Sequence, residues 1–236
     1  MKHLFRPLCR LTILASSMLI GAGLAAPVGA STLSVVHSTS FAGYGASLAG
    51  TVTTFSGTMS VPTVTCPATG NTTLEPEVTL DTAGQFIAFF DSINCSGGVA
   101  SPAFVFASVF PITGGYDTAS ATLSPAAGDT VRMRLTIAKG KVTVKISDAK
   151  GGTSGSATAP VTGTLTSIDA GTSVYGNTPN VVPTFTTISF GSLKLGAAAL
   201  STLSPTEYAI YNGSTRQVST STITAGGSFH NTFVHS

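Results

Sequence analysis

Alternation of apolar and polar residues is the strongest signal along this chain. In "DTVRMRLTIAKGKVTVKISD" (129–148), Val131, Met133, Leu135 and Ile137 recur at every second position. Val142, Val144 and Ile146 repeat the pattern beyond Lys139-Gly140. A period of two marks a half-buried strand, and a two-residue turn ending in glycine predicts a hairpin. Arg132, Arg134, Lys141 and Lys145 then share the other face, which reads as solvated. "GTVTTFSGTMSVP" (50–62) predicts one or two strands stopped by Pro62. "GQFIAFFDSI" (84–93) is almost continuously apolar, which predicts a strand covered on both faces, and "PAFVFASVFP" (102–111) predicts another.

More strands are expected at "VTGTLTSI", "PTFTTISFGSLKL", "EYAIYN", "RQVSTSTIT" and "SFHNTFVH", while "AKGGTSGSATAP" (149–160) reads as a loop. Beyond the first thirty residues no stretch sustains a 3.6-residue period. A dozen or so short strands separated by turn residues predict an all-β, antiparallel double-sheet sandwich. Two polar stretches interrupt the pattern. Glu75, Glu77 and Asp81 read as solvated loop acids, and "SIDAGTSVYG" (167–176), which carries Asp169, reads as a turn or loop.

The N-terminus changes the charge picture. Lys2, Arg6 and Arg10 precede an apolar run from Leu11 to Ala25, and Val28-Gly29-Ala30 offers the small residues of a cleavage site. Residues 1–30 therefore read as a signal peptide and 31–236 as a single secreted domain, extracellular or periplasmic. Without the signal, eight Lys and Arg face nine acids. A balance so close to zero predicts neither nucleic acid nor a membrane as partner. Cys66 and Cys95 remain after cleavage and are expected to form a disulfide, the alternative being two free thiols.

Candidate chemistry is sparse. His230 and His235 are five apart, which on one strand sends them to opposite faces, and His37 is remote in sequence, so no metal site is expected. Glu75 and Glu77 would point the same way in extended chain, where a weak calcium site is conceivable, but solvated acids are the preferred reading. No G-x-S-x-G elbow occurs. No cofactor is called for.

Several segments, taken in order, resemble the G1 glutamic peptidases (eqolisins). "GTMSVPTVTCP" (57–67) is similar to the family's "sGtwtVPtvtcp", "FIAFFDS" (86–92) to "aWVGIDG", and "FVFASVFP" (104–111) to "AWYEWYP". "SPAAGDTVRMRLTI" (124–137) resembles "IsaGDtI.v.Vta", and the C-terminal strands follow in sequence. The resemblance implies a lectin-like, concanavalin A-type sandwich and a secreted acid endopeptidase. In that chemistry a glutamate activates water as general base, and a glutamine amide holds the water and stabilises the oxyanion.

The dyad itself does not carry over. The family glutamate lies in an "NAE-[FW]-I" context whose counterpart here is Asp169 to Ser173, so its position falls on Gly171. The family glutamine lies on the strand between the "GIDG" and "AWYEWYP" segments. Asp91 and Phe104 are joined only by "SINCSGGVASPA", with no glutamine and no room for a strand. A relocated pair would have to be Glu77 with Gln85. Phe104, Phe106 and Phe110 read as core, with Phe104 and Phe106 the possible lining of a groove. The expectation is a monomeric, catalytically inactive relative that binds a polypeptide or other extracellular ligand. The alternatives are an active acid endopeptidase and an unrelated adhesin or lectin-like module.

Overall fold

The computed structural model describes residues 35–112, 116–150, 152–176 and 181–234. Residues 1–30, read above as a signal peptide, and His235 lie outside them. The strands in chain order begin with β1 (Val36–Ser38), β2 (Phe41–Val52), β3 (Thr54–Ser60), β4 (Val64–Thr65), β5 (Asn71–Asp81), β6 (Gln85–Asp91) and β7 (Ile93–Ser96). Next come β8 (Val99–Ala100), β9 (Val105–Pro111), β10 (Ala119–Leu123), β11 (Thr130–Ala138), β12 (Lys141–Asp148) and β13 (Ser154–Pro160). Last are β14 (Leu165–Gly176), β15 (Thr184–Phe185), β16 (Ile188–Leu195), β17 (Ala198–Ala199), β18 (Thr206–Asn212), β19 (Thr215–Thr220) and β20 (Phe229–Phe233). The helical content of the described residues is one 3₁₀ turn, Leu200–Leu203.

Hydrogen-bonded pairing runs β13-β12-β11-β3-β16-β20-β19-β18-β2-β14-β5-β6-β9-β10, antiparallel throughout. The short β1 adds to β18 in parallel. The ribbon doubles back so that β10 lies against β13, which gives the expected sandwich. One layer is β13-β12-β11-β3-β16-β20 and the other β2-β14-β5-β6-β9-β10. Inward positions of both layers form the core. Met133, Leu135, Val144 and Ile146 meet Leu80, Ile87, Phe89 and Val109, all buried, and the rings of Phe55 and Phe89 approach to 5.6 Å.

The β11–β12 hairpin has the predicted register, with Lys139 (φ 50°) and Gly140 (φ 67°) in the left-handed conformation that a two-residue turn requires. Other expectations need correction. Residues 154–160, read as loop, form β13, whose inward positions are Gly155, Ala157 and Ala159. They are small because this strand faces β10, and a Cβ on Gly155 would already stand 3.2 Å from that of Ala121. β6 is not covered on both faces. Ile87 and Phe89 enter the core, while Phe86 and Phe90 stay half-buried on the opposite side. The connection from Asp91 to Phe104 carries the excursion β7–β8, which pairs with β5.

A Cys66–Cys95 disulfide, with Cα atoms 5.4 Å apart, ties the segment before β5 to β7. It closes a separation of 29 residues, for which chain entropy gives about 3–4 kcal/mol. The Cys66→Ser/Cys95→Ser double variant is expected to lose stability of that order in urea unfolding, with the sandwich retained.

Candidate functional site

The outward face of the second layer is built from two strands that the apolar pattern did not predict. β5 sends Leu74, Val78 and Leu80 inward and Thr73, Glu75, Glu77, Thr79 and Asp81 outward. β14 sends Ile168, Ala170 and Val174 inward and Ser167, Asp169, Gly171, Ser173 and Tyr175 outward. The acids read as loop residues therefore stand on central strands, and Asp169 is a strand residue.

Register lines these side chains up in rows across the sheet. One row runs Tyr208, Gly43, Gly171, Glu77, Phe90, Phe106. The next runs Gly45, Asp169, Thr79, Ala88, Ser108, Ser120. The third runs Ser47, Ser167, Asp81, Phe86, Phe110. The middle row is small while its neighbours carry rings. Phe90 stacks on Phe106 (5.2 Å, 23°) and Phe86 packs against Phe110 at 6.0 Å. Thr79, Ala88 and Ser108 are 9, 3 and 3% exposed, so the rims shade the floor. The result is a trough running across the strands, with rims four residues apart along β6, roughly 13 Å. Asp169 stands in the same row toward β2, with Gly45 beside it. A Cβ on Gly45 would lie 2.3 Å from the Asp169 Oδ1.

Phe106 and Phe110 are thus rim residues, not core. Phe104 precedes β9, is 41% exposed, and donates its N–H to Asp91 Oδ1 at 3.0 Å. Asp91 is fully buried, and burial pushes its pKa up to about 6.

Glu77 is the cross-strand partner of Gly171. A carboxyl group therefore stands one strand away from the position the resemblance assigns to the glutamate. Its side chain is half-buried. Ser173 donates its hydroxyl to Glu77 Oε1. Burial pushes the Glu77 pKa up to about 8, against the Ser173 hydrogen bond, with the charges of Glu75 and Asp169 adding to the rise. Glu75 accepts from Ser92 Oγ at 3.0 Å and is raised by burial and by Asp91. Asp169, open to solvent on one side, rises to about 6 through partial desolvation and then the Asp81 charge.

Gly171 has a packing role of its own. A Cβ there would meet the Ala42 carbonyl oxygen at 2.1 Å and Gly43 Cα at 2.8 Å. The two glycines let β2 and β14 approach more closely than any side chain permits. The structure does not bring Glu77 and Gln85 together. Glu77 faces Phe90, five residues or roughly 17 Å along β6 from Gln85. Gln85 Oε1 instead accepts from Thr82 Oγ1 and the Thr162 N–H, both at 3.1 Å. Gln217, the other glutamine of the chain, is buried on β19.

Two outcomes follow for stability. Gly171→Ala should destabilise the fold by about 2 kcal/mol or more, read from denaturant midpoints. The pKa of Glu77 is raised on folding, so its contribution is intact below the unfolded value near 4.5 and falls away as pH rises toward 8. Stability should therefore decline across that window, by on the order of 4 kcal/mol from this group. Glu77→Gln, which cannot ionise, should match the parent near pH 4 and exceed it at pH 8.

No family model matches the chain, and no curated protein does. Solved structures do. Scytalido-glutamic peptidase, determined with a transition-state-analogue inhibitor, is 13% identical with a TM-score of 0.57, covering 83% of this chain and 98% of that one. SCP-B, a member of the eqolisin family in complex with the tripeptide Ala-Ile-His, is 14% identical with a TM-score of 0.52 over the same shares. At such identity the likeness is one of architecture, and the chain has the β-sandwich fold of the glutamic peptidases.

Proposed function

We propose that this protein is a secreted, monomeric binding protein with the glutamic-peptidase fold, in which the trough receives an extended polypeptide without cleaving it. The observation that carries the reading is the register around Glu77, which faces Gly171 on one side and Phe90 on the other, with Gln85 five residues away along β6. A general base in acid solution must be ionised, and burial together with the charges of Glu75 and Asp169 pushes the Glu77 pKa up to about 8, which favours the protonated form there. As a neutral acid it is a hydrogen-bonding group.

The partner group is missing as well. The strand lying between β5 and β9 is β6, and its trough-facing residues are Phe86, Ala88 and Phe90. The resemblance sets β6 ("FIAFFDS") against the family's "GIDG" strand, and β6 pairs directly with β9 without a glutamine-bearing strand between them, so Glu77 meets the phenyl ring of Phe90 where an amide is needed. The trough still suits an extended chain. Its floor is small, its rims are aromatic, and Asp169 provides a carboxylate near its end above pH 6. The disulfide fits an oxidising compartment.

The protein incubated with denatured casein at pH 3, 5 and 7 should give no fragments. Cleavage that disappears in Glu77→Gln would instead establish an acid peptidase and overturn this reading. Binding should be visible by titrating a fluorescent unfolded polypeptide. Phe90→Ala and Phe106→Ala are each expected to weaken it about tenfold, the loss typical of a truncated aromatic anchor.

A further inference from the structure

The two layers carry opposite charge. Outward positions of β5 and β14 hold Glu75, Glu77, Asp81 and Asp169. Outward positions of the first layer hold Arg132 and Arg134 on β11, Lys141 and Lys145 on β12, and Lys194 on β16, all exposed. These are five of the eight Lys and Arg beyond residue 30. The hairpin pattern alone suggested a solvated edge, but register shows a row. Lys194 pairs with Ser56, Ser56 with Arg134, and Arg134 with Lys145, which pairs in turn with Ser156. The parallel row Gly191, Thr58, Arg132, Ser147, Ser154 lies beside it.

Among the described residues nothing on this face neutralises the cations. No outward residue of β13, β12, β11, β3 or β16 is an acid. Asp129 and Asp148, at the open end of the hairpin, are engaged by Lys150, through its ammonium at 2.6 Å and its N–H at 2.9 Å. The remaining outward side chains are almost all Ser and Thr. Between Arg132 and Arg134 lies a shallow cleft of about 170 Å³ lined by Ser56, Thr58 and Ser192.

We infer that this face docks a linear acidic polysaccharide, one bearing carboxylate or sulfate groups. Across the row Arg134 and Lys145 stand about 5 Å apart on adjacent strands and Lys194 about 10 Å from Arg134 beyond β3, while alternate residues set Arg132 and Arg134 about 7 Å apart along β11. That lattice matches a chain with repeated anions better than one compact ion. Guanidinium forks take oxyanions in bidentate fashion, and flanking hydroxyls hydrogen-bond sugar hydroxyls. The outward positions of these strands offer no Phe or Tyr on which a nucleobase would stack. None of the exposed large apolar residues lies on the face to enter a bilayer.

Fluorescently labelled heparin and polygalacturonate, titrated at 50 mM salt, are the probes. At least one should bind, and binding should be lost at 500 mM salt as the charges are screened. Arg134→Ser/Lys145→Ser should weaken it about tenfold or more, while Asp169→Asn on the other face leaves it unchanged. Should the double variant unfold in a melting control, Lys194→Ser, exposed at the surface, must still weaken binding severalfold. The proposal falls if neither polysaccharide binds, if these variants bind as the parent does, or if anionic vesicles or single-stranded DNA bind more tightly than both polysaccharides.

Discussion

The close passage of β2 against β14 at Gly43 and Gly171 is the constraint on which the second layer rests. β14 is the spine of that layer, pairing with β2 on one side and β5 on the other. The approach is fastened from the core side by Asn231 of β20. Its Nδ2 donates to the Ala42 carbonyl at 2.7 Å and to Thr172 Oγ1 at 2.9 Å in a fully buried position. A side chain at either glycine would push the strands apart and pull at this link between layers. The rows of the trough depend on the same registration, because Glu77 and Asp169 take their places from β14.

Legibility in the sequence followed the chemistry of each strand's two faces. The hairpin at 129–148 was plain because its inward residues are large and apolar and its outward ones are cations. β5 and β14 obey the same alternation, yet acids, glycines and hydroxyls dominate their outward faces, and the eye reads such residues as loop. β13 escaped for the opposite reason, since glycine and alanine at its inward positions give no apolar signal. The glutamic-peptidase architecture was nevertheless readable from the order of weak motifs, because order along the chain survives when single residues do not. Only register could reveal the trough, for its rows join residues more than a hundred positions apart, such as Gly43 and Gly171.

Charge segregation is likewise invisible to composition. Eight bases against nine acids average to near neutrality, and a neutral average excludes little when each sign has its own sheet. On the acidic face burial pushes Glu77 toward its neutral form, while the cations of the basic face are exposed. The long-range field of the molecule at neutral pH is therefore set more by its cations than the count implies.

Gly171 and Glu77 show why residue identity and residue chemistry must be kept apart. The position where the resemblance places a water-activating glutamate is empty of any side chain, and a carboxyl group stands one strand away in the same row. Proximity alone does not make a carboxyl a base. Water activation in acid needs a carboxylate whose charge is supported by solvent or by donors, and Glu77 has one hydroxyl donor, two acidic neighbours and a half-buried setting. Each of the acidic neighbours and the burial favours the proton. Across the sheet from Gly171, Glu77 is thus held toward its protonated form, and the side chain opposite it is the ring of Phe90.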